Sequence, residues 1–273
     1  MHLSGLFIHP VKSLRGCTVP VADVDALGLV GDRRFMVVDE MGRFLTQRAL
    51  PRMALITAAL GPDTLTLLAD DAGTLTVPRH SQPGVPRRSV SVWKSEGLLA
   101  EDCGDAAATW LSGFLRTRCR LVRIGPEFRR PILKPNVARP EDVVHFADAF
   151  PFLVIGEASL ADLNDRLAAQ HEEPVPMNRF RPNLVVTGCP AYAEDAWTRI
   201  RIGPLVFHAA GPCARCVITT TDQRSAERGV EPLRTLATYR RDALDPSDVN
   251  FGQNLIHETK SGTLRVGDEV HLL

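Results

Sequence analysis

The feature that most restricts the possible folds is a succession of short apolar or alternating segments, each closed by a turn sequence. Residues 3–8 form an apolar run that Pro10 stops, and residues 64–68 and 74–77 flank the turn sequence Asp-Asp-Ala-Gly. Short strands joined by turns at this spacing are typical of a β-barrel or β-sandwich. We therefore predict a mainly β chain with a few helices (α+β).

Two segments have the apolar periodicity of amphipathic helices, residues 106–115 and 159–169. Between them, residues 125–141 contain four prolines and four basic residues without a sustained period, which predicts a linker or an ordered crossing loop. We therefore predict two β-rich lobes, the first of them barrel- or sandwich-like, with residues 125–141 between them.

Charge and composition exclude several partner classes. Lys and Arg number 32, as do Asp and Glu, so no net charge attracts the chain to nucleic acid or to an anionic membrane. An anion site would need a local cluster of basic residues. The N-terminus lacks a signal-peptide pattern, no segment has the length and apolarity of a membrane span, and six cysteines are scattered along the chain. Scattered cysteines fit reduced thiols, and we expect a cytoplasmic location.

One pair of cysteines is close enough to share chemistry. Cys213-Ala214-Arg215-Cys216 precedes the β-branched residues 217–221, which predicts a position at the start of a strand. A zinc site would need two further ligands at a matching spacing, and a thioredoxin-like site would need a following helix. Two packed structural cysteines remain an alternative. Arg215 favours a reactive thiolate, because a neighbouring cation lowers the pKa of a thiol and soft metals bind thiolates.

Basic and amide side chains also stand near the ends of predicted strands. Lys12 and Ser13 follow the first strand, Arg33 precedes another, and Arg181 and Asn183 precede a third. A proline follows Arg181, which predicts an extended backbone there. Each residue alone could be a solvated surface charge. Together they would suit a phosphate-bearing ligand, with arginine as a bidentate anion donor.

Motifs of the common enzyme classes are absent. The sequence has no Gly-rich nucleotide loop, no His-Glu-x-x-His and no Gly-x-Ser-x-Gly. His145 and His208 could be ligands or acids, but a structural role is the simpler interpretation for both.

At this point the chain resembles a known family, the MOSC-domain proteins with an associated N-terminal β-barrel domain, which include the amidoxime-reducing component and its bacterial relatives. The matching segments run in the family's order along the whole length: HPVKSLRG, GDRRFMVVDEMGRFLTQR, PFLVIGEASLADLNDRL, NRFRPNLVVTGCPAYAEDAW, PCARCVITTTDQ, FGQNL and LRVGDEVHLL.

The resemblance implies an N-terminal β-barrel-like domain over residues 1–124 and a MOSC β-barrel domain over residues 125–273. It also implies a molybdenum-dependent oxidoreductase that reduces N-hydroxylated compounds such as hydroxylamines, amidoximes and N-hydroxy bases. It implies that Cys216 ligates molybdenum and is the catalytic residue. It also implies a set of residues that bind the pterin of the molybdenum cofactor (Mo-molybdopterin) and its phosphate: Lys12, Ser13, Arg33, Arg181, Asn183 and Arg215.

Two departures from the family pattern concern the pocket. Ala149-Phe150 stand where relatives often have Thr-Ser, and Ala214 stands in place of a common Ser. These changes remove hydroxyl donors from the cofactor's surroundings.

Electron supply is the remaining expectation. The chain has no ferredoxin-like cysteine cluster, so we expect electrons from a separate reductase with a ferredoxin- or cytochrome-like carrier. Two other interpretations remain open: a carrier of the cofactor or of sulfur without turnover, and metal storage by Cys213 and Cys216.

Overall fold

The computed structural model describes residues 1–273 and contains eighteen strands and three α-helices. The first half contains β1 (His2–Ile8), β2 (Cys17–Val19), β3 (Val21–Asp25), β4 (Gly28–Leu29), β5 (Phe35–Val38), β6 (Thr57–Leu60), β7 (Thr64–Ala69), β8 (Gly73–Pro78), β9 (Arg87–Val92), β10 (Ser95–Asp102), α1 (Asp105–Leu115) and β11 (Arg120–Ile124). The second half contains β12 (Phe152–Gly156), α2 (Glu157–Ala168), β13 (Leu184–Thr187), β14 (Arg199–Ile202), β15 (Leu205–Ala214), α3 (Leu233–Leu236), β16 (Asn250–His257), β17 (Gly262–Arg265) and β18 (Val270–Leu272). The prediction of a mainly β chain with few helices is confirmed, and none of the helices is long and apolar enough to cross a membrane.

The largest sheet combines strands from both ends of the chain. Its order is β18-β14-β15-β16-β12-β13-β1-β2, with β12 and β13 parallel and the other pairs antiparallel. In the same way β17 pairs with β3 in a smaller sheet. The domain boundary at residue 124 stays a prediction. The first two strands of the chain, however, belong to the large sheet, whose other strands all come from the second half of the chain.

The two β-rich lobes have separate apolar cores. One core of 18 residues joins Leu3 and Leu6 to residues such as Phe152 and Phe207 of the large sheet. The other 18-residue core lies entirely between Val11 and Leu121, under β5–β8 and α1. Because β1 belongs to the first core and Val11 to the second, the chain passes from one lobe to the other immediately before Lys12.

The proline-rich residues 125–141 form an ordered crossing loop, one of the two predicted alternatives. They contain no helix or strand, yet Phe128 and Ile132 are buried in two apolar clusters. The side chain of Arg130 is also buried and donates to the carbonyls of His145 (2.9 Å), Ala147 (2.5 Å) and Asp148 (2.7 Å). The loop therefore fixes the segment that carries Asp148.

Candidate functional site

One cavity collects all seven residues that the sequence singled out. Its empty volume is about 790 Å³, part of it open to solvent, and twenty residues line it. The seven residues come from four separate stretches of chain: Lys12, Ser13, Arg33, Arg181, Asn183, Arg215 and Cys216.

The cavity lining is strongly cationic, although the chain as a whole is neutral. Five cationic side chains line it against a single carboxylate, that of Asp148; the five are Lys12, Arg33, Arg48, Arg181 and Arg215. Such a cluster attracts an anionic or oxygen-rich ligand and repels a cationic one.

Asp148 holds two of these cations in place. The Lys12 ammonium donates to its carboxylate and, at 2.9 Å, to the carbonyl of Phe146, while Arg48 Nη2 donates to Oδ2 at 2.9 Å. Burial lowers the pKa of Lys12 to about 8, against the opposing effect of Asp148. Burial tends to raise the pKa of Asp148, but Lys12 and Arg48 outweigh it and hold that pKa well below its usual range.

A second buried carboxylate, Asp32, positions Arg33. It is fully buried and accepts hydrogen bonds from the backbone N–H of His9 (2.7 Å) and from Arg33 Nη1 (2.5 Å). Arg33 in turn donates to Asn183 Oδ1 at 3.0 Å and to the carbonyl of Arg181 at 3.2 Å. Three segments that are distant in sequence are thereby joined behind the cavity.

His145 completes this network as a neutral side chain. Its Nδ1 accepts from the backbone N–H of Ala147 at 3.0 Å, which leaves the ring proton on Nε2, 3.1 Å from Asp32 Oδ2. Burial lowers its pKa to about 4 despite the opposing effect of Asp32. The structural interpretation of His145 fits these contacts.

The depressed pKa of His145 predicts a specific loss of stability in acid. Because the unfolded side chain titrates near pH 6.5 and the folded one near pH 4, stability is complete above about pH 6.5 and is lost as pH falls toward about 4. Between about pH 7.5 and about pH 5, this one group should cost about 2 kcal/mol of unfolding free energy. Urea unfolding at the two pH values should show a smaller drop for His145→Gln than for wild type.

The matched control is His80→Gln on the exposed surface, which should keep the wild-type pH dependence. An undiminished pH dependence in His145→Gln would show that other groups, such as the buried His9 or His257, cause the acid loss.

Three of the seven residues have a left-handed backbone. The φ angles of Ser13, Arg33 and Arg181 are +65°, +43° and +55°, a region that side chains other than Gly, Asn and Asp seldom adopt. The expectation that Arg181 has an extended backbone is therefore wrong. The tight turn at Arg181 directs its side chain toward Leu14, where Nη1 donates to the backbone carbonyl at 2.6 Å. Strain of this kind persists at functional sites when the surroundings enforce it.

The two cysteines lie at the end of one strand rather than at the start of another. Cys213 is in the last residues of β15, and Cys216 follows that strand and caps one turn of 3-10 helix over Val217–Thr220, so the predicted strand over 217–221 is wrong. Arg215 Nη1 donates to Cys213 Sγ at 2.9 Å, and its Nη2 to the carbonyl of Phe180 at 2.5 Å. The arginine of the motif thus engages the first thiol.

The lining suits an anionic cofactor that brings most of its own metal ligands. No group of three or more His, Cys, Asp or Glu side chains is placed to hold a metal ion, so a metal in this cavity would need ligands beyond the protein. Buried Nη1 of Arg48 and Nε of Arg215 have no hydrogen-bond partner, and both residues line the cavity. Unpaired buried donors of this kind are costly unless a ligand accepts from them.

The residues at the two expected departures from the family pattern also line this cavity, namely Ala149, Phe150 and Ala214. Sequence reasoning missed three further lining residues. Arg48 and Asp148 look like ordinary surface charges in the sequence, and only Arg48 falls within a recognised segment. Asn254, in the FGQNL segment, donates to the carbonyls of Gly211 and Pro212 at 3.2 and 3.1 Å and supports the irregular last part of β15, which contains Cys213.

Comparisons with known proteins give this arrangement a context. The model of the MOSC N-terminal beta barrel domain matches residues 1–118, and that of the MOSC domain matches residues 141–271. Mitochondrial amidoxime-reducing component 1 of Homo sapiens is 39% identical over 98% of this chain and 82% of its own length. The same protein of Mus musculus is 40% identical over 98% of this chain and 81% of its own length. Component 2 of Homo sapiens is 35% identical over 97% of this chain and 82% of its own length.

These relatives correct one expectation. They are named mitochondrial, which contradicts the cytoplasmic location expected from the sequence. The two matched domains and the near-complete similarity show that the chain belongs to the MOSC family with an N-terminal β-barrel domain, the family of the amidoxime-reducing components.

Proposed function

We propose that this protein is a molybdenum-dependent reductase of N-hydroxylated compounds and that Cys216 holds the molybdenum cofactor in the cationic cavity. The relatives are named for amidoxime reduction. The observation that carries the assignment of the site is the convergence of seven residues from four stretches of chain on one cavity.

Each side chain has a definite part in this proposal. Cys216 offers a soft thiolate sulfur for the metal. Arg33, Arg181 and Arg215 face the anionic part of the cofactor, and Ser13 and Asn183 add polar contacts beside them. Burial lowers the pKa of Arg181 to about 9, with a further contribution from Arg33, and a bound anion would favour its charged form.

When bound, the cofactor supplies the two electrons that reduce the N–O bond, and two protons complete the products, an N–H group and water. The chain's own contribution is to hold the cofactor in one orientation and to keep the charges fixed around it. Asp148 accepts hydrogen bonds from Lys12 and Arg48 and stays ionised at neutral pH. Its negative charge balances part of the cationic charge in the cavity that Cys216 lines.

The decisive experiment concerns electron supply. Purified protein loaded with cofactor should reduce hydroxylamines and amidoximes with reduced methyl viologen and should be inactive with NADH or NADPH alone. The sequence has no spacing for an iron–sulfur cluster, so a reductase and a small electron carrier should restore the pyridine-nucleotide reaction.

The artificial donor separates this proposal from the carrier alternative. A loaded protein that stays inactive with methyl viologen across hydroxylamines, amidoximes and N-hydroxy bases, yet transfers its cofactor to an apo-enzyme, would be a carrier and not a reductase.

A further inference from the structure

An exposed tryptophan is held in a strained turn near the cavity. Trp93 is the first residue of the two-residue loop between β9 and β10, where Val92 pairs with Ser95. Its φ is +53°, and its side chain is 51% exposed. Such loops favour Asn or Gly, because a bulky residue in the left-handed region is strained. The sequence thus keeps a large aromatic surface in solvent at a position that disfavours it.

Trp93 contacts the side chains that lead into the cavity. The Arg48 guanidinium lies 4.8 Å from the centre of its ring, and the Phe44 ring meets it edge-on at 5.2 Å. Lys12 Nζ lies 5.1 Å from the centre of the Phe44 ring. Because Lys12 and Arg48 both line the cavity, the two aromatic rings pack directly behind lining residues on the side of the N-terminal lobe.

Arg48 connects the two aromatic rings to the cavity that Cys216 also lines. Its guanidinium lies between Trp93 and Asp148, which fixes its orientation. Nη1 of Arg48 is buried and has no hydrogen-bond partner. A donor in the cavity that contains Cys216 is therefore available to a ligand oxygen.

We propose that Arg48 and Trp93 select the substrate: Arg48 donates to the oxygen of the N–O group beside Cys216, and the exposed Trp93 indole stacks on the flat remainder of the molecule. This inference rests on the proposed reductase function. It predicts a preference for neutral amidoximes carried on aromatic rings over small saturated hydroxylamines.

The charge of the cavity also distinguishes substrate from product. An amidoxime is neutral near pH 7, whereas the amidine formed from it is a strong base that takes up a proton. The resulting cation would meet Arg48 and the other cationic lining residues. Electrostatic repulsion would then favour release of the product.

The test compares two substrates in a variant that relieves strain. Trp93→Asn should fold well, because Asn tolerates the left-handed region. With reduced methyl viologen as donor, kcat/KM for benzamidoxime should fall about 3- to 10-fold, the worth of one aromatic contact. The value for N-methylhydroxylamine should stay within about 2-fold of wild type. Arg116→Asn, at another exposed left-handed residue, is the matched control and should change neither value.

A binding measurement without electrons gives a second readout. Benzamidoxime added in the absence of a reductant should quench indole fluorescence in the wild type, and this component should be lost in Trp93→Asn, which keeps the other two tryptophans. Arg48→Gln should lower kcat/KM, per bound metal, for both substrates, because the contact to the shared N–O group is lost.

The outcomes separate the two proposals. If wild type reduces neither compound, the proposed function fails and this inference fails with it. If wild type reduces both and Trp93→Asn loses the two activities equally or not at all, only the selectivity assignment is wrong. A defect that appears only with a protein electron carrier, and not with methyl viologen, would identify Trp93 as part of a docking surface and overturn the proposed role.

Discussion

Cys216→Ser is expected to lower metal affinity more than about 100-fold and to abolish reduction, whereas Cys213→Ser should retain most of both. Removing even an indirect supporting partner of a metal ligand typically costs 10- to 100-fold, and loss of the only protein ligand should cost more. Serine is a poor substitute because its hydroxyl is harder and stays protonated at neutral pH. Metal content per protein after gel filtration, together with turnover driven by methyl viologen, measures both effects.

The neighbouring thiol provides an internal control. Both cysteines line the cavity, but Arg215 donates to Cys213 Sγ at 2.9 Å, whereas Cys216 caps the 3-10 turn that follows β15. Both thiols are only partly buried, so neither replacement should unfold the protein. Equal metal loss in the two variants would indicate a site formed by both cysteines and would contradict the single-ligand assignment.

The residues that could be predicted from sequence share a simple property: they stand where a strand ends. Lys12 follows β1, and Asn183 precedes β13, whose pairing with β1 brings these strand ends together. Turn spacing and apolar alternation were sufficient to predict such strands because they are local signals. Once the strands pair in one sheet, their ends lie side by side, which brings together residues that are distant in sequence.

Other parts of the site depend on contacts that no local pattern encodes. Arg48 and Asp148 are 100 residues apart, and their pairing requires the crossing loop that Arg130 anchors. The left-handed turn at Arg181 overrides the usual effect of a following proline. The β-branched run after Cys216 favours a strand by propensity, but it forms a 3-10 turn because tertiary context outweighs a propensity difference of under about 1 kcal/mol.

The second large effect is expected from Asp32→Asn, which should lower the free energy of unfolding by about 3–5 kcal/mol. Asp32 is fully buried, and the side chain of its partner Arg33 is only 12% exposed. Breaking a buried ion pair leaves an uncompensated charge, which costs about this much. The amide also brings N–H groups to the side where Arg33 Nη1 and His145 Nε2 already present hydrogens. Urea denaturation of the cofactor-free protein near neutral pH measures the loss.

Asp71→Asn is the matched control, since Asp71 is 84% exposed and lies 3.9 Å from Arg52, a surface pair whose loss should cost no more than about 1 kcal/mol. If Asp32→Asn also lowers the free energy of unfolding by less than about 1 kcal/mol, solvent must compensate the charge of Arg33. The buried network around Asp32 would then not be what positions the side chains of the cavity. Cofactor retention distinguishes the two cases further. Because Arg33 reaches Asn183 and the Arg181 carbonyl only while Asp32 orients it, a variant that still folds should bind the cofactor more weakly than the Asp71 control.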